Sequence, residues 1–307
     1  MPNPRFLRLA ERLRNDAAPL GKPEGDPRGE DEKGKPPADI GKTSFPESVE
    51  GSSILQYDNF GIPLIRKVNE YFAGTKAEVP LKEGFGLGIG RSAGEVPNMY
   101  ILRRLALVTA LHYNPSLRNG NTWPITPGQS ELLLKDNKLP SPNRYWEDLG
   151  LILYDTTGST NNKEARALAE SIQQNRAELR LSPTEANSRL VVVNAGLAKD
   201  VDMPHGVKPI ILPGTTFVYP HEILQKTGTN SVFEYGTARG LPQASSLGRG
   251  TRTLYMPNET SDIGLRVLFR DGGWDLGAGY GDLAGDDADG RVNVAHQGEV
   301  PKKIGAN

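Results

Sequence analysis

Carboxylates cluster near the end of the chain, just before a glycine turn. Calcium takes about six to eight oxygen ligands, and an EF-type loop ends on an acid at its twelfth position. With Asp289 and Gly290 in the fifth and sixth places, the first and twelfth places fall on Gly285 and His296, which carry no carboxylate. The run therefore predicts either a Ca²⁺ site or a plain Asp-Gly β-turn. The candidate calcium ligands are Asp286, Asp287 and Asp289.

A second set of metal-binding side chains lies nearer the middle of the chain. Imidazole nitrogens and carboxylate oxygens are ligands that zinc accepts, and two strands of a hairpin could bring two histidines together. Turn geometry around Pro204 and Pro220 explains the same segments without a metal. If the metal is present, the site would support a metal-assisted hydrolase. The candidate ligands are Asp200, Asp202, His205 and His221.

Arginines and aromatic residues supply a third candidate site. Three arginines lie in the glycine- and serine-rich segment 236–253, and guanidinium groups suit phosphate or an acidic partner. Trp274 and Tyr280 lie in the glycine-rich run that follows, where aromatic faces can stack on a sugar ring. The pattern predicts a glycan or small-ligand site, with Ca²⁺ shaping the neighbouring loop. The arginines are Arg239, Arg249 and Arg252.

Several kinds of chemistry are excluded or not indicated. The chain has no cysteine, so disulfides, thiolate nucleophiles and thiolate metal sites are excluded. The glycine-rich run 84–90 lacks the preceding strand and the following helix that a dinucleotide-binding loop needs. No Ser/His/Asp elbow, paired-carboxylate motif or Walker loop is present, and His112 is predicted to be a hydrogen-bonded core residue. No motif identifies a family or a reaction.

The overall charge is balanced. There are 36 lysines and arginines against 37 aspartates and glutamates, a formal net charge of −1, which does not favour a nucleic-acid partner. No apolar run approaches the roughly 18–20 residues that span a bilayer. The first residues also lack the apolar stretch of a secretory signal. We therefore expect a soluble chain without a membrane span, and the sequence does not assign a compartment.

Residues 1–52 are predicted to form a polar, disordered arm. The segment 21–48 is rich in glycine, proline and charge, and cannot bury enough apolar surface to offset its ordering entropy. A short helix is predicted before it, where Phe6, Leu9 and Leu13 share a face ringed by arginines. Such a tethered helix predicts docking on a protein partner or on another copy of the chain. An anionic membrane surface is the alternative.

Residues 53–182 are predicted to be mainly helical. The segment 64–72 repeats its apolar residues at helical spacing and should end near Gly74. Met99–His112 is apolar on most sides, which predicts a central buried helix. Thr126-Pro127-Gly128-Gln129 has the sequence of a capping box that opens another helix, and a longer helix is predicted from about Asn161.

Residues 183–307 are predicted to form a turn-rich antiparallel β domain, either a sandwich or a small barrel. Short β-prone runs alternate there with Gly, Pro and Asp. The fold class is therefore α+β: a helical N-terminal layer, then the β domain, with a disordered N-terminal arm. The predicted strands are Arg189–Asn194, Pro209–Leu212, Thr215–Tyr219, Val232–Tyr235, Thr253–Met256, Gly264–Phe269 and Arg291–Ala295.

The leading functional hypothesis is a non-catalytic structural or interaction protein, such as a subunit of a phage or surface particle. A long polar arm, a turn-rich β domain and the lack of a recognisable catalytic motif all favour it. The arm is the predicted contact with a protein partner or with further copies of the chain. A calcium-dependent glycan or small-ligand binding module is the main alternative, and the metal-assisted hydrolase is the third.

Overall fold

The computed structural model describes residues 52–54, 61–79, 99–118, 122–139, 146–154, 162–225, 230–257, 264–281, 283–285 and 290–297. All of them belong to one unit of the chain, Gly34–Asn307. The helices are α1 (Gly61–Phe72), α2 (Ile101–Tyr113), α3 (Pro127–Lys135), α4 (Lys163–Gln174) and the single turn α5 (Pro183–Ala186).

Short strands make up most of the remaining regular structure. In chain order they are β1 (Ser52–Ile54), β2 (Thr122–Pro124), β3 (Trp146–Leu153), β4 (Leu190–Val193), β5 (Gly196–Lys199), β6 (Val207–Ile210), β7 (Phe217–Pro220), β8 (Ser231–Phe233), β9 (Arg252–Tyr255), β10 (Leu265–Arg270), β11 (Leu276–Tyr280), β12 (Gly290–Arg291) and β13 (Val294–Gln297).

The largest sheet is mixed. Its strands follow the order β7-β4-β3-β10-β11-β9-β8, and β12 pairs with β3 beside this path. Most pairs are antiparallel, but β11–β9 and β12–β3 are parallel. A smaller sheet has the order β1-β13-β2, and β5 and β6 form a hairpin. The predicted α+β class is confirmed, and the two parallel pairings are features that the sequence did not predict.

Strand β3 lies inside the region that was predicted to be mainly helical. It pairs with β10 on one side and with β4 on the other, and Leu149 and Leu151–Leu153 are buried. Glu147, Asp148 and Gly150 are all uncommon in strands, so local preference does not favour this conformation. Pairing on both edges determines it. The large sheet therefore includes a strand from each side of the predicted boundary at residue 182.

Helix α2 is the buried helix that its apolar sequence predicted. Eleven of its side chains are buried, among them Arg104, Thr109 and His112. It packs against α1, β2, β3 and β5. The Thr126 hydroxyl accepts a hydrogen bond from the Gln129 N–H (3.1 Å), and the Gln129 side chain accepts one from the Thr126 N–H (2.9 Å). The capping box that opens α3 is thus formed as the sequence predicted.

The buried apolar residues include two clusters near α3 and the large sheet. One lies on the large sheet and includes Leu149, Phe233, Leu254 and Leu268. The other joins Ile125, Leu133 and Leu139 beside α3, with Trp274 packed against it.

None of the described helices has the length and apolar character that a membrane span requires.

Candidate functional site

Five charged side chains are buried together where α2 and α3 meet the large sheet. We call them the arginine–glutamate centre. Each is at most 7% exposed, although charged groups are almost never so buried unless they are paired. The centre consists of Arg104, Glu131, Glu147, Arg252 and Arg270.

Glu131 and Arg252 form the first pair of the centre. Arg252 donates from Nη1 to Oε2 (2.6 Å) and from Nη2 to Oε1 (2.7 Å), which is the two-bond geometry that planar guanidinium and carboxylate groups favour. The Gly236 N–H also donates to Oε2 (2.7 Å), and Arg252 Nε donates to the Trp274 carbonyl (2.6 Å). The pair therefore joins α3 to β9 and to two loops.

Arg270 and Glu147 form the second pair, and the two residues lie opposite each other where β10 pairs with β3. Arg270 Nη2 donates to Glu147 Oε2, and Nη1 donates to the Ser130 hydroxyl on α3 (2.7 Å). Asn293 donates to the same carboxylate from its backbone N–H (2.8 Å) and from its side-chain amide (2.5 Å). The guanidinium of Arg270 also lies 5.0 Å from the centre of the Trp274 ring. Glu147 thus accepts hydrogen bonds from three donor groups.

Arg104 completes the centre from the first turn of α2. Its Nη2 donates to the Ile125 carbonyl (2.5 Å), and Ile125 in turn donates its N–H to the Asn293 carbonyl (2.9 Å). The Nε and Nη1 atoms of Arg104 are buried and have no hydrogen-bond partner in the part of the chain that the structure describes. Burial lowers the pKa of Arg104 to about 10, although the negative charges of Glu147 and Asp148 act to raise it. At neutral pH the group is therefore still a cation with unused donors.

The centre holds three guanidinium groups and the carboxylates of Glu131 and Glu147. Two further carboxylates act on it by their charge, Asp148 on Arg104 and Asp271 on Arg270. Burial lowers the pKa of Arg270, while Glu147 and then Glu131 act in the opposite direction. The centre can hold elements together and can accept a negative group, but it brings no nucleophile.

A second buried polar contact joins α2 to the loop before β7. Nδ1 of His112 lies 2.8 Å from Oγ1 of Thr215, within hydrogen-bonding distance. Burial, and after it the charge of Arg118, lowers the pKa of His112. Thr109, one helical turn earlier, accepts a hydrogen bond from the Leu197 N–H (2.8 Å). His112 is therefore a hydrogen-bonded core residue, as its place on an apolar helix predicted.

Three of the four residues predicted to bind zinc make other side-chain contacts. Asp200 pairs with Lys208 (3.0 Å), and His205 Nε2 lies 3.8 Å from a carboxylate oxygen of Glu164. The Lys208 hydrogen bond, followed by the Asp202 N–H, lowers the pKa of Asp200. The backbone N–H of Asp202 donates a hydrogen bond to the Asp200 carboxylate. His221 lies just beyond β7, and its Nδ1 accepts a hydrogen bond from the Ile223 N–H. Among the residues that the structure describes, no three His, Asp or Glu side chains are placed to hold one metal ion.

The predicted calcium ligands Asp286, Asp287 and Asp289 lie outside the described residues, and so does the side chain of Tyr280. Arg239 and Arg249 are exposed, and the guanidinium of Arg239 lies 5.2 Å from the centre of the Tyr219 ring.

Two of the predicted ligand-binding residues face the interior. The guanidinium of Arg252 is hydrogen-bonded to the Glu131 carboxylate. Trp274 is half-buried, its ring packs against the guanidinium of Arg270, and its backbone is left-handed (φ 71°). The structure therefore gives both of them internal contacts where the sequence had suggested a ligand.

Most of the centre was not anticipated from the sequence. Arg252 was expected to meet a ligand, and the other four residues were not singled out. One signal was present: Arg104, Glu131 and Arg270 are charges set in or beside apolar runs, in ILRRLALV, SELLL and RVLFR. A charge in a segment that must be buried needs a partner from elsewhere in the fold.

The chain was compared with protein-family models, curated proteins and solved structures. No family model matches it, and no curated protein or solved structure shows significant similarity to it.

Proposed function

We propose that this protein is a non-catalytic structural or interaction protein that serves as a subunit of a larger assembly, such as a phage or surface particle. The observation that carries the proposal is the Glu131–Arg252 pair, with its bonds of 2.6 and 2.7 Å. Burying two charges is costly, so such a pair is weak support for stability alone. Its effect here is to fix one position of α3 on β9. A subunit that must present its surfaces in a single geometry benefits from that.

The composition of residues 1–52 supports the same proposal. A polar segment that cannot form a core of its own can order by lying along a partner. A short apolar stripe with a basic rim at its start provides a contact for a groove. We therefore propose that this arm joins one copy of the chain to another or to a protein partner.

The test is the mass of the particle in solution, measured by light scattering over a wide range of concentrations. We expect the full chain to form species heavier than a monomer. A variant that lacks residues 1–50 is the matched control and should be monomeric. A full chain that stays monomeric at every concentration would overturn the proposal.

Calorimetry with Ca²⁺ and Zn²⁺ distinguishes the two other functions that the sequence left open. Saturable Ca²⁺ binding that is lost in Asp287→Ala would favour a calcium-dependent glycan or small-ligand module. Saturable Zn²⁺ binding that is lost in both His205→Ala and His221→Ala would favour a metal-assisted hydrolase. We expect neither ion to bind with a defined stoichiometry.

A further inference from the structure

Arg104 is the one member of the arginine–glutamate centre whose hydrogen bonds are incomplete. Its side chain is 0% exposed, and among its nitrogens Nη2 alone has an acceptor, the Ile125 carbonyl. Buried polar atoms nearly always have a partner, so each exception requires an explanation. For a cation the requirement is stronger, because both its charge and its donors have been removed from water.

The carboxylates of the centre do not supply the missing acceptor. Glu147 is engaged by Arg270 and by two donors of Asn293. Glu131 is engaged by Arg252 and by the Gly236 N–H. Asp148, the residue after Glu147, is only partly buried. Both Glu147 and Asp148 act on Arg104 through their fields, and neither is among its hydrogen-bond partners.

We propose that Arg104 binds a small oxyanion, a carboxylate or a phosphate, inside the fold. The anion would accept hydrogen bonds along one edge of the guanidinium, either from Nη1 and Nη2 or from Nε and Nη2, because Nε and Nη1 themselves lie on opposite edges. Oxyanions suit this position because the planar guanidinium presents its donors in a fixed geometry that matches theirs. The positive end of the α2 dipole lies at the same end of the helix, where Tyr100 provides no side-chain cap. The Arg104 cation persists at neutral pH, since its pKa is about 10.

Two properties of binding follow from the burial of Arg104. The ligand can reach a side chain without exposed surface only through a local opening of the fold, so association should be much slower than diffusion. A ligand held in the folded state alone also stabilises that state in proportion to the logarithm of its concentration. The inference is independent of the proposed assembly, because it concerns the interior of one chain.

The experiment titrates the full-length chain with acetate, inorganic phosphate, sulfate and chloride at constant ionic strength. Calorimetry reports stoichiometry, and thermal unfolding reports stabilisation. We expect one saturable site for an oxyanion and none for chloride. Acetate and the tetrahedral anions separate a carboxylate ligand from a phosphate ligand. Arg104→Lys should weaken binding at least about tenfold, because it keeps the charge and loses the planar donor set. Arg166→Gln, which changes an exposed arginine on α4, is the matched control and should bind as the unmodified chain does.

Hydrogen exchange on the unmodified chain keeps the test decisive if Arg104→Lys does not fold. The bound anion should slow exchange of the backbone amides in the first turn of α2 and around Ile125. The proposal is overturned if the unmodified chain shows no saturable oxyanion binding, because the free donors are then simply hydrated. It is also overturned if a folded Arg104→Lys binds equally well, or if the protected amides lie elsewhere.

Discussion

The carboxylate of Glu131 and the guanidinium of Arg252 are joined by two hydrogen bonds, of 2.6 and 2.7 Å, although the residues lie 121 positions apart in the chain. Glu131 projects from α3, and Arg252 is the first residue of β9, where its guanidinium lies 4.4 Å from the centre of the Phe233 ring. Both side chains are almost completely buried. The contact is therefore a tertiary one that fixes a helix to the far part of the sheet.

Removing one partner of this pair should be strongly destabilising. Arg252→Met leaves the Glu131 carboxylate buried, with the Gly236 N–H as its one remaining donor among the described residues. We expect the free energy of unfolding to fall by about 3–5 kcal/mol, the usual consequence of an uncompensated buried charge. Urea unfolding followed by circular dichroism measures the loss.

Two further variants identify the cause. Glu131→Leu combined with Arg252→Met removes both charges, and the double variant should lose less stability than the sum of the single variants. Lys138→Met removes the exposed Lys138–Asp136 pair and should cost less than about 1 kcal/mol. Strictly additive losses for the two members of the buried pair would show that the charges do not depend on each other.

Gly128 should not tolerate even a methyl group. A Cβ at this position in the first turn of α3 would overlap the carbonyl oxygen of Ala238. Gly→Ala inside a helix normally stabilises by roughly 0.5–1 kcal/mol. Here we expect Gly128→Ala to lower the free energy of unfolding by about 1–3 kcal/mol, because backbone atoms must move apart. Gln174→Ala on α4 is exposed and should change stability by less than about 0.5 kcal/mol. A gain in stability for Gly128→Ala would contradict the packing of α3 on the loop around Ala238.

His112 should make stability depend on pH below its ordinary pKa. Burial lowers its pKa from 6.5, so on acidification the unfolded chain takes up a proton before the folded chain does. The contribution of His112 to the free energy of unfolding is complete above pH 6.5, the ordinary pKa of histidine. It is lost as the pH falls from there towards the lower pKa of the folded state. Between about pH 7.5 and 5.5 the free energy of unfolding of the unmodified chain should fall relative to that of His112→Gln.

The comparison with His112→Gln isolates this residue. The pKa of His221 is also lowered by burial, but His221 is present in both proteins and its effect cancels. Loss of the Thr215 contact in the variant shifts its stability by an amount that does not vary with pH in this range. Equal pH slopes for the two proteins would show that His112 titrates alike in the folded and unfolded chains.

Local signals were sufficient to predict much of the helical structure. The apolar spacing of α1, the apolar sequence of α2 and the capping box of α3 each depend on residues within a few positions of one another. The strand runs at β4, β7, β9 and β10 were predicted for the same reason, within one or two residues at each end. Gly74 has a left-handed backbone (φ 77°) just beyond α1, as a helix stop requires.

The buried centre could not be predicted in this way. Its two pairs connect residues 121 and 123 positions apart, and nothing in the local sequence states which charge will pair with which. Strand β3 was missed because the pairing that determines it is supplied by β4 and β10, which lie later in the chain. The internal contacts of Arg252 and Trp274 could not be predicted either, because composition does not reveal whether a side chain faces inward.

Any stabilisation by calcium should depend on the acidic run before Gly290. If Ca²⁺ raises the melting temperature, the rise should disappear in Asp287→Ala combined with Asp289→Ala, because oxygen ligands from carboxylates dominate Ca²⁺ sites. His205→Ala is the control and should leave the rise unchanged. A rise that persists in the double variant would place the ion elsewhere in the chain.

Residues 1–50 should be dispensable for folding and required for contact with a partner. Deleting them leaves β1 intact, and β1 pairs with β13 through Ser52, Ser53 and Ile54. We expect the melting temperature to change by less than about 4 °C, which corresponds to roughly 1–2 kcal/mol for a domain of this size. Deleting residues 1–54 removes β1 as well and should lower the melting temperature further, because β13 then loses one of its two neighbours in the order β1-β13-β2. Circular dichroism gives the melting temperatures, and light scattering reports the loss of heavier species. A drop of more than about 4 °C in the shorter deletion would mean that the first 50 residues pack on the fold of their own chain.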